Sequence, residues 1–279
     1  MRATEILLVR HGESTSNLAG RWQGQGDGPL SPLGRAQAAA LGAALDGLDL
    51  TAVISSDLQR AADTARALGR PVRVDARWRE LDVGRWEGLT ADEVAAAFPN
   101  DLDALQGDPD ARMGGGESWT ELTDRSHAAF GTVAGALAPG DRVAVVCHGG
   151  VILALLERLL GLDRLHPRRL GRLRNTACSL VRLVDGRVTL RTYNETAHLG
   201  ADSPAHPRPG TPHHVVRVSA DQDRDRGAEE ARRACAAIGA RGGELGVLQG
   251  ARAGHLLVSD LGTTLLDWNV TVSDPAAGS

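Results

Sequence analysis

Ile6-Leu7-Leu8-Val9, followed at once by Arg10-His11-Gly12-Glu13, is the stretch from which the architecture follows. Large apolar residues in an unbroken run, with no polar alternation, describe a strand covered on both faces, as in parallel sheets flanked by helices. The abrupt change to a glycine among charged and polar side chains marks the carboxyl end of that strand, where open α/β sheets bind their ligands. The pattern recurs along the chain. Ala52–Ile54 is a short buried strand ending in Ser55-Ser56-Asp57 and a helix through Leu68, and Val72–Val74 is a third strand. Arg142–Cys147 is another continuous apolar run, broken by His148-Gly149-Gly150 before a helix over Val151–Leu160. This alternation predicts an α/β domain with a mostly parallel central sheet.

Between these units, Ser31-Pro32 supplies an N-cap and a proline at the first helical position, so an alanine-rich helix to about Leu45 follows the Gly-rich loop Gly20–Pro32. Thr90–Phe98 and Trp119–Leu137 read as helices separated by a loop containing Gly114-Gly115-Gly116, and Ala177–Val184 with Arg187–Tyr193 reads as a hairpin turning at Asp185-Gly186. The regular pattern ends there, so residues 1–199 are expected to form one domain. Residues 200–212 carry Pro204, Pro207, Pro209 and Pro212 and read as a linker. Residues 213–279 are expected to form a small α/β extension: a strand at Val215–Val218, an amphipathic helix at Arg226–Ile238, and a hairpin of Leu256–Val258 with Thr264–Val270. The roles expected of it are a dimer contact, with a homodimer left open, or a cover for the site.

The 279 residues are 42% hydrophobic and 24% charged, the composition of a folded chain. All 31 cationic side chains are arginine; the chain has no lysine. A Walker A loop, a kinase strand lysine and a Schiff-base amine are thereby excluded. The net charge of -4 argues against a nucleic-acid partner. Cys147, Cys178 and Cys235 are odd in number and lack CxxC spacing, so neither a disulfide framework nor a zinc site is expected, and a cytoplasmic setting fits. The N-terminal apolar run is too short for a signal peptide, and polar residues interrupt Val143–Leu160, so no membrane segment is expected.

The strand ends share one chemical character. Arg10 and His11 follow the first strand, Ser56 and then Arg60 the second, His148 with Gly149-Gly150 the fourth. Two imidazoles and two guanidiniums meeting in one pocket, without clustered carboxylates or cysteines to hold a metal, suit an oxyanion. The helix start at Gly149-Gly150 is expected to add backbone N–H donors. A neutral imidazole can act as nucleophile near neutral pH while a second, protonated one neutralises a transferring phosphoryl group, with no metal and no cofactor. Glu80, in the loop after the third strand, is the best-placed acid for the leaving oxygen.

These residues resemble a known family. Arg10-His11-Gly12-Glu13 with Asn17, Arg21-Trp22-Gln23-Gly24, Pro29-Leu30-Ser31, Ser55-Ser56-Asp57-Leu58-Gln59-Arg60-Ala61, Arg79-Glu80-Leu81 with Trp86-Glu87-Gly88, and Cys147-His148-Gly149-Gly150 followed by Asn175-Thr176 are similar, in order and interval, to the blocks of the histidine phosphatase superfamily, also called phosphoglycerate mutase-like. The likeness spans about Met1 to Leu199. It implies a three-layer α/β/α fold and a phosphohistidine enzyme acting on a small phosphate ester, with His11 as the nucleophile. It further implies that Arg10, Arg60, His148 and Gly149 hold the phosphate with Asn17, that Gln23 lies at the pocket mouth, and that Glu80 is the proton donor. The loop around Gln23 and the ending Tyr193–His198 are similar to those of actinobacterial phosphatases, including the glucosyl-phosphoglycerate type.

Other readings stay open. Arg60 is also readable as a helix-surface charge, Glu80 as a partner of Arg79 or Arg85 with Asp82 or Glu87 in its place, and Asn17 and Gln23 as turn residues. Arg164, Arg168, Arg169, Arg172 and Arg174 form either a solvated face or an anionic-substrate mouth, His213-His214 read as exposed strand residues, and Cys147 as a buried inert thiol. Within the family, the absence of lysine and the single Tyr193 favour hydrolysis over mutase chemistry, because the Tyr/Lys-containing segment associated with mutases is missing. The remaining alternatives are a mutase-type phosphotransferase and a non-catalytic phospholigand-binding scaffold.

Overall fold

The structure, a computed structural model, describes residues 3–108, 110–160, 170, 172–184, 187–199, 246–249, 255–258, 264–265 and 270–271. In chain order they form β1 (Thr4–Arg10), α1 (Thr15–Leu18), α2 (Pro32–Leu45), β2 (Ala52–Ser55), α3 (Gln59–Arg66), β3 (Val72–Val74), α4 (Ala91–Ala97), α5 (Pro99–Gly107), α6 (Trp119–Gly135), β4 (Arg142–Cys147), α7 (Gly149–Leu159), β5 (Cys178–Val184) and β6 (Arg187–Glu195). Four short strands follow: β7 (Gly246–Gln249), β8 (His255–Val258), β9 (Thr264–Leu265) and β10 (Val270–Thr271).

The sheet runs β6-β5-β1-β4-β2-β3. β1, β4, β2 and β3 are parallel neighbours, and β5 and β6 extend the sheet antiparallel, so a parallel block continues into the expected hairpin. Alternation along the strands explains the unbroken apolar runs. Ile6, Leu8, Val143, Val145 and Cys147 enter the core that also holds Leu122 of α6 and Ile152 of α7, whereas Leu7, Val9, Ala144 and Val146 enter the one that holds Leu41 of α2 and Ala61 of α3. Helices therefore cover both faces, and each fully buried Ile, Leu or Val contributes roughly 1.5–3 kcal/mol.

The helix starts follow local chemistry. Ser31 accepts the Gly34 N–H at 2.9 Å with Pro32 as the first helical residue, and Ser118 with Glu121 and Thr90 with Glu93 form capping boxes. The helix expected over Thr90–Phe98 stops at Ala97, and Pro99 opens α5, which the sequence reading did not foresee. A proline ends one helix by lacking the N–H and suits the first position of the next. The expected hairpin of Leu256–Val258 with Thr264–Val270 is corrected. β8 pairs with β7 over Gly246–Gln249, while β9 and β10 pair with β6. β6 lies at the edge of the six-strand sheet, and its free N–H and C=O groups accept further strands. The linker at 200–212, the strand at Val215–Val218, the helix at Arg226–Ile238, His213-His214, Arg164, Arg168 and Arg169 lie outside the described residues. Among the described residues, no helix is long and apolar enough to cross a membrane.

One close approach positions the site. A Cβ on Gly34 would lie 1.9 Å from the Glu13 carbonyl oxygen, and one on Gly12 would lie 2.5 Å from that of Gly34. The two glycines let the first turn of α2 rest directly on the backbone that leaves β1.

Candidate active site

The parallel strands end together, and β1, β4 and β2 deliver His11, His148 and Ser56 to one place. The rings of His11 and His148 are 5.1 Å apart between centroids. His11, His148, Ser56 and Arg60 are all buried. His11 is pinned through its backbone: its N–H donates to Cys147 O at 2.9 Å, and its carbonyl accepts from Thr176 N at 3.2 Å and Asn175 Nδ2 at 3.0 Å. Its ring Nδ1 lies 2.6 Å from Gly12 O. A carbonyl only accepts, so Nδ1 carries the proton and Nε2 of the neutral ring is the bare, nucleophilic nitrogen. Burial first, and then the Arg60 and Arg10 charges, hold the His11 pKa well below the ordinary imidazole value.

His148 Nε2 lies 2.9 Å from Ser56 Oγ, which already accepts the Leu58 N–H at 3.3 Å. With the Ser56 hydroxyl donating to Nε2, the ring proton sits on Nδ1, a buried nitrogen without a hydrogen-bond partner. Burial, then Arg60, His11 and Arg10, push the His148 pKa well down. Two cations and burial favour the neutral ring in the free pocket; the protonated second imidazole expected from the sequence is the one facing a transferring phosphoryl group, whose opposite charge favours the imidazolium.

Arg10 donates to Leu173 O at 2.5 Å and Arg60 to Gly26 O at 2.9 Å and Gly24 O at 2.7 Å, and in both the buried Nε is without a partner. Arg60 is thus not a helix-surface charge. Burial lowers the pKa of both arginines against the raising influence of Glu80, and they remain cations. The loop that Arg60 grips is held from the other side by Glu87, whose Oε2 accepts the N–H groups of Gly24 at 3.0 Å and Gly26 at 3.1 Å.

The carboxylates and arginines near Glu80 differ in their partners. Arg79 is bound to Asp57 and Arg85 to Asp101, Asp82 accepts from Gly84 N, and Glu87 is committed to the loop. Glu80 instead accepts the N–H groups of Leu81 at 2.9 Å and Gly150 at 3.1 Å. A Cβ on Gly150 would lie 2.4 Å from Glu80 Oε1, so the second glycine of α7 admits the carboxylate. The expectation that the α7 start offers its N–H groups to an anion is corrected at Gly150, whose N–H is taken by Glu80; Gly149 lies against Arg10.

A cavity of about 520 Å³ has Arg10, Glu80, Gly149, Asn17, Gln23 and Asn175 among its lining and Trp22, Val83, Met113, Trp119 and Leu153 as apolar wall; the buried His11, Ser56, Arg60 and His148 are not part of that lining. Asn17 Oδ1 is occupied by Ser14 N at 3.3 Å and Asn175 Nδ2 at 3.2 Å, so Asn17 can offer a ligand only its amide nitrogen. Gln23 Oε1 accepts from Ser14 Oγ at 2.6 Å. Glu13 accepts from Ser31 Oγ at 2.6 Å and orients its neighbours. Sequence reasoning gave Asn175 no role of its own, although it follows the arginine cluster directly. That cluster is split: Arg172 is exposed on the cavity lining, while Arg174 is half-buried and off it. Cys147 lies in the core, its thiol pushed far up by burial, and Cys178 is pushed up to about 12 by the same cause. Among the described residues, no group of three or more His, Cys, Asp or Glu could hold a metal.

A family profile described as Histidine phosphatase superfamily (branch 1) matches residues 6–196. The chain is 41% identical over 172 residues to glucosyl-3-phosphoglycerate phosphatase of Mycolicibacterium vanbaalenii, covering 58% of this chain and 76% of that protein. It is 39% identical over 216 residues to a Salmonella choleraesuis protein named probable phosphoglycerate mutase GpmB, covering 72% and 96%. Among solved structures, a mycobacterial glucosyl-3-phosphoglycerate phosphatase complexed with VO3 superposes with a TM-score of 0.59 at 36% identity, covering 63% of this chain and 92% of that one.

Proposed function

The chain belongs to the histidine phosphatase superfamily (branch 1), and from that premise we propose that it hydrolyses a small phosphomonoester through a phosphohistidine on His11. The observation that carries the reading is that three of the six buried side-chain nitrogens without a protein partner among the described residues, Arg10 Nε, Arg60 Nε and His148 Nδ1, fall together around His11, the others being on Trp78, Trp86 and Arg174. Buried donors left unpaired are costly, and three on residues that act electrostatically on or pack beside His11 are explained by an oxyanion ligand. The vanadium oxyanion in the mycobacterial relative supports the same ligand chemistry.

In the first step, His11 Nε2 attacks phosphorus, the bond from phosphorus to the ester oxygen breaks, and Glu80 gives its proton to the departing alcohol. Arg10, Arg60 and His148 bear on the phosphoryl oxygens, so the positive charge comes from side chains and the step uses no metal or cofactor. In the second step, the Glu80 carboxylate takes a proton from water, the water oxygen bonds to phosphorus, the N–P bond breaks, and phosphate leaves with His11 neutral again. The low pKa of His11 keeps it nucleophilic at neutral pH and below. Asn17 Nδ2 and Gln23 border the phosphate at the cavity wall. Cys147 and Cys178 are free thiols, which suits a reducing cytoplasm.

The Salmonella relative's name favours a second reading, phosphoryl transfer between hydroxyls of a phosphoglycerate. Rapid quenching with a radiolabelled phosphate ester tests both. Hydrolysis predicts an acid-labile label on His11 and steady phosphate release from p-nitrophenyl phosphate; label without release, with isomerisation of phosphoglycerate, would establish the mutase; ester binding with no label would leave a scaffold.

A further inference from the structure

Glu80 is held in place by side chains that do not touch the cavity. Arg125, in the second turn of α6, has all five N–H donors of its guanidinium engaged. Nε donates to Glu117 Oε1 at 2.9 Å and Nη2 to Glu117 Oε2 at 2.7 Å, a fork-to-fork pair. Nη1 donates to the carbonyls of Arg77 and Arg79, both at 2.8 Å, and Nη2 also reaches that of Glu80 at 3.4 Å. Glu117 takes hold beyond Glu80: its own N–H donates to Asp82 O at 2.8 Å and its Oε2 accepts Asp82 N–H at 3.4 Å. The side chains of Arg125 and Glu117 are only 22% and 14% exposed, so this pair is shielded as a surface bridge is not.

We propose that the Arg125–Glu117 pair is a positioning device for the proton donor, gripping the backbone on both sides of Glu80 so that its carboxyl group stays at Gly150 N and the cavity. The inference rests on the assignment of Glu80 as the acid. Trp78, Leu81 and Val83 anchor the loop in the core, but Glu80 itself is only half-buried, and its carboxylate reaches α7 through the single N–H of Gly150. α6 supplies the rigid element: its capping box sets Ser118, and with it Glu117, while Arg125 is placed on the same side of the helix start. Positioning matters because proton transfer requires the acid within hydrogen-bond reach of the leaving oxygen.

The effect is visible in which substrates suffer. An alkyl phosphate releases a poor leaving group and needs the proton; p-nitrophenyl phosphate releases a good one and does not. kcat/KM reports the steps through formation of the phosphohistidine, where this difference lies. Arg125→Lys keeps the charge but not the five-donor fork, and Glu117→Gln keeps the shape but not the ion pair. Both are expected to lower kcat/KM for an alkyl phosphate by about 10-fold or more while lowering that for p-nitrophenyl phosphate less than about threefold. In the Glu80→Gln background, Arg125→Lys is expected to add no further loss on the alkyl substrate, because both changes act through one group. Equal losses on both substrates, or losses that add to those of Glu80→Gln, would overturn the proposal. If Glu80→Gln separates the substrates and Arg125→Lys does not, the positioning role alone fails; if Glu80→Gln does not separate them, the acid assignment fails and this proposal with it. Thermal unfolding of each variant checks folding, and Glu117→Gln, which preserves volume, gives a second reading should Arg125→Lys unfold.

Discussion

Strand β1 carries charge at both of its ends, and the two ends are finished in opposite ways. At the amino end, Glu5 is buried, and each carboxylate oxygen takes a guanidinium: Oε2 from Arg142 at 2.5 Å and Oε1 from Arg182 at 2.7 Å. Burial raises the Glu5 pKa, but the hydrogen bonds from Arg182 and Arg142 outweigh it, so the carboxyl titrates below its usual range. At the carboxyl end, Arg10 and His11 meet Arg60 and His148, with like charges close together and three buried nitrogens unpaired. A satisfied network is a contribution to stability, whereas an unsatisfied one is a cost that a folded chain tolerates where a ligand completes it. The difference separates a structural ion cluster from a functional one on a single strand.

The largest expected effect breaks the comparison at the carboxyl end. His11→Ala should lower turnover by about 10⁴-fold or more, as loss of a nucleophile does. Because His11 is neutral in the free pocket its removal relieves no charge repulsion, so the thermal midpoint should fall only by what a small buried truncation costs, roughly 0.5–3 kcal/mol; loss of the folded state would make His11 a structural residue. The two ends should also separate by pH. The folded pKa values of His11 and His148 lie below the unfolded value near 6.5, so as pH falls through 6.5 the unfolded chain takes up protons first and stability declines. Each histidine contributes a slope of up to ~1.4 kcal/mol per pH unit. Glu5 acts lower: its contribution is complete above about 4.5 and is lost as pH drops through its depressed folded value. Denaturant titrations across pH should therefore show a first decline below 6.5, missing in part from His11→Ala, and a second below 4.5.

Glu5→Gln sharpens the other end. It should cost about 1–2 kcal/mol, since Arg142 and Arg182 are partly exposed and can turn to water, and it should leave kcat unchanged. Any loss of activity comparable to the stability loss would mean that the two ends are coupled along β1. The smallest effect is none at all. Cys147 pairs in register with Arg10 yet faces the core, so Cys147 and Cys178 should resist a thiol reagent in the native protein and react only in denaturant.

How far the sequence could be read depended on whether a residue's role follows from its neighbours along the chain. Arg10, His11 and His148 were legible because each directly follows an unbroken apolar run, and the first residues after such a strand in an α/β sheet lie at its binding edge. The helix start at Ser31-Pro32 was legible because capping is local, and the helices read at Thr90 and Trp119 begin within a residue of those positions. Glu80 was legible only as one of several carboxylates, because Asp82 and Glu87 share its loop and only their partners distinguish them. α5 was hidden by Pro99, which ends one helix and begins another. The hairpin assigned to Leu256–Val258 and Thr264–Val270 failed because short strands choose partners by which edge is free, and β6 offered one.

The order of residue types along the chain was enough to establish an α/β sheet covered on both faces and, by resemblance, the histidine phosphatase superfamily, and to point to arginines and histidines gathered at the strand ends. Periodicity and the punctuation of strand ends are written in one dimension. Tertiary structure alone showed that His11 Nδ1 faces the Gly12 carbonyl, that burial and the arginines press the His148 pKa down, that Gly150 serves Glu80, and that Arg125 and Glu117 grip the loop between them. Those depend on burial and on hydrogen bonds between groups far apart in sequence, such as Arg125 with Arg77 or Asn175 with His11, and no local pattern records them.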